Sequence, residues 1–444
     1  MFAISDGAMS LIIFGFCIVL FVSEKLPMAT TAILGSALMV VFGVASFADV
    51  FGQFASSSVI LVISVMVVGQ AMFDTGLARL IGSGILRLTG NSEKRILLIA
   101  TTVCSLISAF MSNVATLAMF ISVLYNLNTQ RQRVDLRNLL LPVAMGSVVG
   151  GVCTLIGSAP QMVAQGLLEE AVGKGLGFFD YAIVGIFLVI ALVIYVYFIG
   201  YPLGKRIWGN RALSEEELAE IGAMEQSASL EQSRYDGETP AQRKRRRTKM
   251  WIMAVIFVLM GIFFFLEPVP IAIVGALAAL ACIVTGCINQ KEALKRISWS
   301  SVGKLAGCLG IMQAVNKSGG GKLIAQAFFA VIGYEIPPEL LFILMCALTM
   351  LLSEFLTNST AVLIVLPMAI SVAPEMGLNI HSFAMGITLA SSVALATPLS
   401  CTPLTMVTGY GYRFRDYVKY SLPLDLISLI LIIVLVPLFF PLVN

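Results

Sequence analysis

Charge and imidazole are what this sequence has least of. Only 12% of its 444 residues are charged and a single histidine, His381, is present, whereas 58% of the residues are hydrophobic. One imidazole in a short loop leaves no His-based metal centre or general base. No HExxH, paired aspartate or Ser/His arrangement falls within the apolar stretches, so the chain reads as a non-enzyme. Eight cysteines stand singly at positions 17, 104, 153, 282, 287, 308, 346 and 401 without CxxC spacing, which argues against a zinc site or disulfide framework and for small packing residues. An acidic cluster of the calcium-binding type is missing as well. What remains is too apolar for a soluble domain. Runs such as Ile183 to Ile199 and Leu426 to Leu438 mark a polytopic membrane protein. The N-terminus lacks a basic region and a small-residue cleavage site, so residues 10–24 read as a retained span.

The chain contains itself twice. Displacing residues 27 to 163 by 243 to 245 positions brings Pro27 onto Pro270, Gly43 onto Gly286, Ser57-Ser58-Val59 onto Ser300-Ser301-Val302 and Gln70 onto Gln313. Further along, Ser108 meets Ser353, Ser112-Asn113 meets Thr357-Asn358, Thr154 meets Thr397 and Pro160 meets Pro403. Duplicated halves with polar interruptions at matching positions are how many transporters build a binding site at the membrane midplane.

Spans are expected at 10–24, 28–46, 57–74, 138–168 and 181–203, and again at 251–266, 269–288, 300–316, 383–409 and 421–442. The apolar stretches 97–126 and 339–370 each carry a central polar break and read as re-entrant hairpins, tolerated where protein or water satisfies the backbone. Five crossings per half is an odd number, so the second copy is inverted. Placing both termini outside puts 15 Lys/Arg inside against 3 outside, with the linker left out of the count. The expected architecture is therefore an all-α polytopic membrane protein, an inverted repeat of five spans plus one re-entrant hairpin per half, with a broken helix in each half. Its units are a first repeat at 1–203, a cytoplasmic linker at 204–250 and a second repeat at 251–444. The linker is flexible or part-helical by composition, and its run Arg243-Lys244-Arg245-Arg246-Arg247 fits a topology anchor at the membrane surface, with anionic lipid or RNA as alternative ligands. Residues 76–95 read as an amphipathic interfacial helix.

The polar breaks carry the chemistry. Hairpin tips read Ser108-Ala-Phe-Met-Ser112-Asn113-Val114 and Ser353-Glu-Phe-Leu-Thr357-Asn358-Ser359, while the broken spans read Thr154-Leu-Ile-Gly157-Ser158-Ala-Pro160-Gln161 and Thr397-Pro-Leu-Ser400-Cys401-Thr402-Pro403-Leu404. A proline in mid-span stops the helix and releases carbonyl oxygens. The helix that restarts behind each break offers unpaired N–H groups to an anion. Hydroxyls, freed carbonyls and an Asn oxygen together form a hard oxygen shell suited to an alkali cation. With no Lys or Arg at any break, an anion there depends on helix N-termini and a co-bound cation. Glu354 is either a proton- or cation-coupling group or a carboxylate satisfied beside the hairpin.

These tips, the Thr154-Leu-Ile-Gly157-Ser158-x-Pro160 segment, and Gly411-Tyr412-Arg413-Phe414-Arg415-Asp416-Tyr417 followed by Leu422-Pro423-Leu424 resemble the divalent anion:sodium symporter family, within the ion transporter superfamily. The resemblance covers nearly all of the chain outside the linker. It implies a homodimer in the cell membrane that carries dicarboxylates, citrate or sulfate with sodium, by an elevator-like movement of one domain past another. Carried over by position, a first sodium site would use Ser108, Ser112, Asn113 and the backbone at Gly157; a second would use Ser353, Thr357, Asn358 and the backbone near Ser400. Substrate would lie between Asn113, Ser158, Asn358, Ser359, Cys401 and Thr402. Val114, Gln161 and Leu404 depart from the family pattern, which leaves tricarboxylates and sulfate-like oxyanions open beside the dicarboxylates. The function expected is sodium-coupled secondary transport of such a small anion, with an anion exchanger or proton-coupled carrier on the same scaffold as the alternative. Neither a nucleic-acid partner nor a resident cofactor beyond the transported Na+ is implied. A channel would need a continuous polar path, whereas these breaks converge on one depth.

Overall fold

The computed structural model describes residues 5–23, 25–77, 80, 92–131, 136–208, 240–266, 268–332 and 336–443. These residues are helical apart from turns and one isolated bridge between Leu378 and Val443. The first half supplies α1 (Asp6–Ser23), α2 (Met28–Val41), α3 (Phe47–Phe51), α4 (Ser57–Asp74), α5 (Glu93–Ser108), α6 (Asn113–Arg131), α7 (Arg137–Gly151), α8 (Ala159–Val172) and α9 (Asp180–Tyr195, prolonged through a π-turn to Ile207). The second supplies α10 (Pro240–Leu266), α11 (Ile271–Val284), α12 (Gln290–Arg296), α13 (Trp299–Lys317), α14 (Gly320–Ile332), α15 (Pro338–Phe355), α16 (Asn358–Val372), α17 (Ile380–Ser392), α18 (Thr402–Met406) and α19 (Phe414–Phe439). Among the described residues, seven helices are long and apolar enough to cross a membrane, so the protein is an all-α, multi-pass membrane protein.

The duplication is visible at single helix ends. Pro27 and Pro270 precede α2 and α11 with φ of −53° and −50° and the same ψ of 136°. Beyond the same two helices, Gly43 and Gly286 adopt φ of 72° and 69°, the left-handed cap that lets the chain reverse and that a side chain would strain. Each repeat then interrupts its long span in one place. Helix α7 stops at Gly151 and α8 restarts at Ala159 with a proline in its first turn; α17 stops at Ser392 and α18 restarts at Thr402 in the same manner. The hairpins are likewise a helix, a short break and a helix. Each arm of the second is long enough to span on length alone. Only Leu356 and Thr357 separate those arms, and they pack on each other and both on α17, as α5 and α6 do on α7.

Packing reproduces the duplication as a pseudo-twofold. Helix α2 lies on α13 and α11 on α4; α8 meets α16 and α17 while α18 meets α6 and α7; α9 packs on its own counterpart α19 at the centre. One group gathers α1–α4 with α10–α14, the other α5–α9 with α15–α19, and the two meet where α8 touches α4 and α13 and where α14 touches α16. Since lipid is as apolar as a leucine side chain, close approach and interhelical hydrogen bonds hold such contacts, each bond contributing about 0.6 kcal/mol. Ser36 Oγ donates to the Gly307 carbonyl between α2 and α13, and Ser105 Oγ to the Gly146 carbonyl between α5 and α7. At that second crossing a Cβ on Gly150 would stand 2.2 Å from the Ser105 carbonyl oxygen, so only glycine permits it.

Most of the interfacial helix expected at 76–95, and linker residues 209–239, lie outside the described residues. The linker's described ends are helical: Tyr201–Ile207 prolongs α9, and the basic run Arg243 to Arg247 forms the first turns of α10.

Candidate functional site

Each half builds one small oxygen cluster from a hairpin and its broken span. Ser108 closes α5 and Asn113 opens α6, so the four-residue break folds the asparagine back onto the serine, with Ser108 Oγ 2.9 Å from Asn113 Oδ1. The serine also donates to the Ser147 carbonyl at 2.6 Å, on α7. In the second half Ser353 Oγ is 2.8 Å from Asn358 Oδ1 and 2.8 Å from the Ser391 carbonyl of α17. Thr154 Oγ1 donates to the Ala109 carbonyl, and its counterpart Thr397 to the Glu354 carbonyl, pinning each broken span to its hairpin.

What surrounds each asparagine amide is acceptor upon acceptor. Turned with its NH2 inward, Asn113 has the Gly157 carbonyl at 2.9 Å, Ser108 Oγ at 2.9 Å and the Ser147 carbonyl at 3.0 Å within reach; the Ser108 hydroxyl serves the Ser147 carbonyl and the two amide protons serve the other two. Turned with Oδ1 inward, the same position becomes a fourth oxygen. Asn358 is placed identically, with the Ser400 carbonyl and Ser353 Oγ at 2.8 Å and the Ser391 carbonyl at 3.3 Å, and its own backbone N–H reaches the Ser400 carbonyl at 3.2 Å. Uncharged oxygens packed this closely fit a small hard monocation, and among the described residues no group of three or more His, Cys, Asp or Glu could hold a metal ion otherwise.

Of the residues read from sequence, the structure brings together Ser108, Asn113 and Gly157 in one cluster and Ser353, Asn358 and Ser400 in the other. Ser112 and Thr357 stand aside: Ser112 Oγ accepts from the Ala115 N–H at 3.2 Å, and Thr357 Oγ1 pairs with Thr360 Oγ1 at 2.8 Å and faces Met28 Sδ at 3.5 Å. The carbonyls of Ser147 and Ser391 take their places. Sequence reasoning missed both, because a backbone oxygen leaves no side-chain signature. The one available signal was Gly151, where a Cβ would fall 2.3 Å from Asn113 Oδ1.

For the substrate set, Ser158 and Cys401 each precede a restarting helix without capping it through the side chain, so the first-turn N–H groups of α8 stay open to a ligand. Ser359, buried, lies in the first turn of α16, and Thr402, exposed, opens α18. The tips are unequal: Val114 is 40% exposed, whereas Ser359 is 5% exposed. Gln161, one of the departures noted above, is fully buried and neither amide atom has a partner among the described residues, which holds a donor and an acceptor beside the first broken span.

The second half adds an acid pair. Glu354 Oε1 accepts from the Ala396 N–H at 3.2 Å and Asp425 Oδ1 from the Leu395 N–H at 3.3 Å, holding the residues between α17 and α18. The two carboxyls interact with one another, and among the described residues Glu354 Oε2 and Asp425 Oδ2 have no other hydrogen-bond partner. At membrane depth such a pair requires a shared proton or a cation. The position of the first half that matches Glu354 is Ala109.

The Tyr412 to Tyr417 segment is architectural. Tyr412 Oη donates to the Arg137 carbonyl and accepts from the Leu141 N–H at 3.1 Å, Asp416 caps the start of α19 through the Arg413 N–H, and Tyr417 Oη donates to the Leu404 carbonyl. Beneath them Trp208 Nε1 donates to Asn138 Oδ1, whose amide donates to Glu93.

Known proteins are similar to this chain in sequence and fold. The chain is 22% identical to an uncharacterised transporter of Synechocystis sp. over 94% of its length and 95% of the relative's. It is 21% identical to a sodium-dependent dicarboxylate transporter of Staphylococcus saprophyticus over 94% and 82% of the two chains. The fold matches the YdaH transporter of Alcanivorax borkumensis with a TM-score of 0.64 at 12% identity, covering 97% of this chain and 98% of that one. It matches MtrF of Neisseria gonorrhoeae, described among antimetabolite efflux pumps, with a TM-score of 0.61 at 13% identity, covering 96% of each. These relatives are transporters, not enzymes. The sequence profile of the citrate transporters matches residues 18–338 and 337–443, which is nearly the whole chain, so this protein belongs to the citrate transporter family, in keeping with the ion transporter superfamily that its hairpins and loops resemble.

Proposed function

We propose that the protein is a sodium-coupled secondary transporter of a small anion, a di- or tricarboxylate or a sulfate-like oxyanion, working by alternating access of the site between its two hairpin tips. The observation that carries this reading is the pair of matching oxygen clusters around Asn113 and Asn358, each gathering two backbone carbonyls, a serine hydroxyl and, with Oδ1 turned inward, the amide oxygen. A sodium ion in each would hold the amide oxygen inward among the other three. The anion is then held by the uncapped N-terminus of α8 and by the charge of the cations, because no Lys or Arg stands at any of the four breaks. Coupling follows: without the cations the site has only helix ends to offset the anion's charge. The relative from Staphylococcus saprophyticus, named as sodium-dependent and dicarboxylate-transporting, supports both halves of the reading.

The two halves also stand differently against the surrounding helices, as alternating access requires. The second tip packs on the start of α2, where Thr357 and Thr360 Oγ1 lie 3.5 and 3.4 Å from Met28 Sδ. Met28's repeat counterpart is Ile271, at the start of α11, which instead borders a cavity of about 510 Å³ beside the end of α8. With the termini and the α2–α3 turn outside and the linker in the cytoplasm, the α2 start is an inner end. In that proposed orientation, the contact of the second tip with the α2 start supports a form with the binding region lowered toward the cytoplasm. We assign the movement to α5–α9 with α15–α19, sliding as an elevator past α1–α4 and α10–α14 of a homodimer.

Uptake into proteoliposomes should require a sodium gradient and collapse in Asn113→Ala and Asn358→Ala. Sodium-independent uptake with both variants active would overturn the proposal. A second reading, a proton-coupled carrier or exchanger, is favoured by the Glu354–Asp425 pair; Glu354→Gln with an unchanged pH profile of uptake removes it.

A further inference from the structure

Two carboxylates cross the boundary between the helix groups. Glu169 and Glu170 lie in the last turn of α8. Ser58 Oγ, in the first turn of α4, donates to Glu169 Oε2 at 2.8 Å, and Gln53 Nε2, in the short turn between α3 and α4, donates to Glu170 Oε2 at 2.8 Å. Gln165, one turn earlier on the same face of α8, donates to Glu169 Oε1 at 3.0 Å and accepts from the Leu176 N–H at 2.8 Å, so Glu169 is also oriented from its own helix. Next to Gln165, a Cβ on Gly166 would stand 2.8 Å from Leu309 Cδ2, which shows how closely α8 approaches α13 at this end. Both acceptors thus belong to the group assigned to move, and both donors to the group assigned to stay. Hydrogen bonds to an ionised carboxylate are roughly twice as strong as neutral ones.

The repeat shows that this contact belongs to one end of the molecule. Ser58 matches Ser301, and Ser301 Oγ pairs with Ser298 Oγ at 2.9 Å at the start of its own helix instead of reaching across. Serines kept for packing alone would behave alike in both copies. Beside the bonds, the boundary opens into the cavity of about 510 Å³ that Gln53, Ser58, Glu169 and Glu170 help to line, so on that side polar bonds and not apolar packing join the groups. We propose that Ser58–Glu169 and Gln53–Glu170 form a latch between the moving and the fixed helices, which holds the described arrangement and opens before the binding region slides to the other side. The latch rests on the elevator movement proposed above. A slide of one helix turn, about 5.4 Å, takes both pairs out of hydrogen-bond reach together. The cavity lets water reach the parting carboxylates, which keeps the latch releasable.

The test uses two cysteine pairs in the full-length protein in proteoliposomes, each joined by a short bifunctional thiol reagent. Met28→Cys with Thr360→Cys reports the described arrangement, since those side chains lie 3.4 Å apart across the boundary. Ile271→Cys with Ala115→Cys, at their repeat counterparts, reports the opposite one. The ratio of the two cross-linking rates follows the balance between the arrangements. Gln53→Ala with Ser58→Ala should shift that ratio about tenfold toward the second pair. Ser10→Ala with Ser318→Ala removes a hydrogen bond inside the fixed group and should not move it. An unmoved ratio in the first variant, or an equal shift in both, overturns the latch. Should the first double variant misfold, Gln53→Ala and Ser58→Ala are each expected to shift the ratio about threefold, and two unmoved ratios overturn the latch as well. Uptake that survives complete linking of Met28→Cys to Thr360→Cys overturns the elevator reading and the latch with it, whereas linking that stops uptake while the ratio stays unmoved overturns the latch alone.

Discussion

Placing one methyl group at Gly151 should disable the first cation cluster and leave the second intact. Its Cβ would stand 2.3 Å from Asn113 Oδ1 and 3.0 Å from both Asn113 Cγ and the Gly157 carbonyl oxygen. An ordinary carbon–oxygen contact is about 3.3 Å, so the amide must retreat by roughly 1 Å. Cation–oxygen distances tolerate only about 0.2 Å, and the displaced oxygen leaves the shell. The loss of one buried polar partner costs about 1–3 kcal/mol, which raises the sodium concentration for half-maximal uptake by about 5- to 150-fold. The assay is uptake of the transported anion by proteoliposomes over a sodium series, alongside the sodium-dependent shift in thermal stability. Gly69→Ala serves as the control, because nothing lies within 4 Å of its Cβ, and it should behave as wild type or be slightly more stable. The matching position in the second half is already Ala394, so the clash belongs to the first cluster alone. A Gly151→Ala protein of unchanged stability whose sodium requirement stays within about twofold of wild type would refute the placement of the site, since the clash is too large to pass unnoticed.

Ser353→Ala removes a hydroxyl that bridges Asn358 and the Ser391 carbonyl, and should raise the sodium requirement by about tenfold with little change in fold, measured in the same series. Val114→Ser, which gives the first tip the hydroxyl that Ser359 has in the second, should shift preference among anions of different size, measured by competition between a C4-dicarboxylate, citrate and sulfate; an unchanged order would detach Val114 from substrate choice. Tyr412→Phe loses its bonds with the Arg137 carbonyl and the Leu141 N–H, and should lower the unfolding midpoint in detergent by the equivalent of about 1–3 kcal/mol without altering the sodium requirement of the folded fraction. Asp425→Asn should leave sodium dependence in place and change the pH profile of uptake only if the facing Glu354 takes part in coupling.

Much of the helix pattern could be read directly, because span length and the position of prolines are properties of the chain itself. The hairpin at 339–370 and the helices Pro338–Phe355 and Asn358–Val372 differ by two residues at most. The asparagine and serine of each tip were legible too, since a serine five residues before an asparagine in two matching places is improbable as packing alone. What sequence could not show is how the tips are completed. Ser112 and Thr357 carry the right chemistry but turn away, and the Ser147 and Ser391 carbonyls that replace them would be equally present with any side chain. Glu354 was visible as an anomaly, while Asp425, which faces it from α19, was hidden in an apolar run 71 positions later. A partnership between helices far apart in the chain is decided by packing, which one sequence does not encode in readable form.

Trp208 gives this molecule an optical reporter that needs no label. It is 1% exposed and packed against Tyr412 and Tyr420, whereas the other two tryptophans, Trp251 and Trp299, are 59% and 58% exposed. Aqueous or lipid-borne quenchers should silence the exposed pair and leave one emitting indole in the group formed by α5–α9 and α15–α19. If that group shifts as a rigid body, its emission stays constant through the transport cycle. A spectral change on adding sodium would instead report a rearrangement inside the group itself.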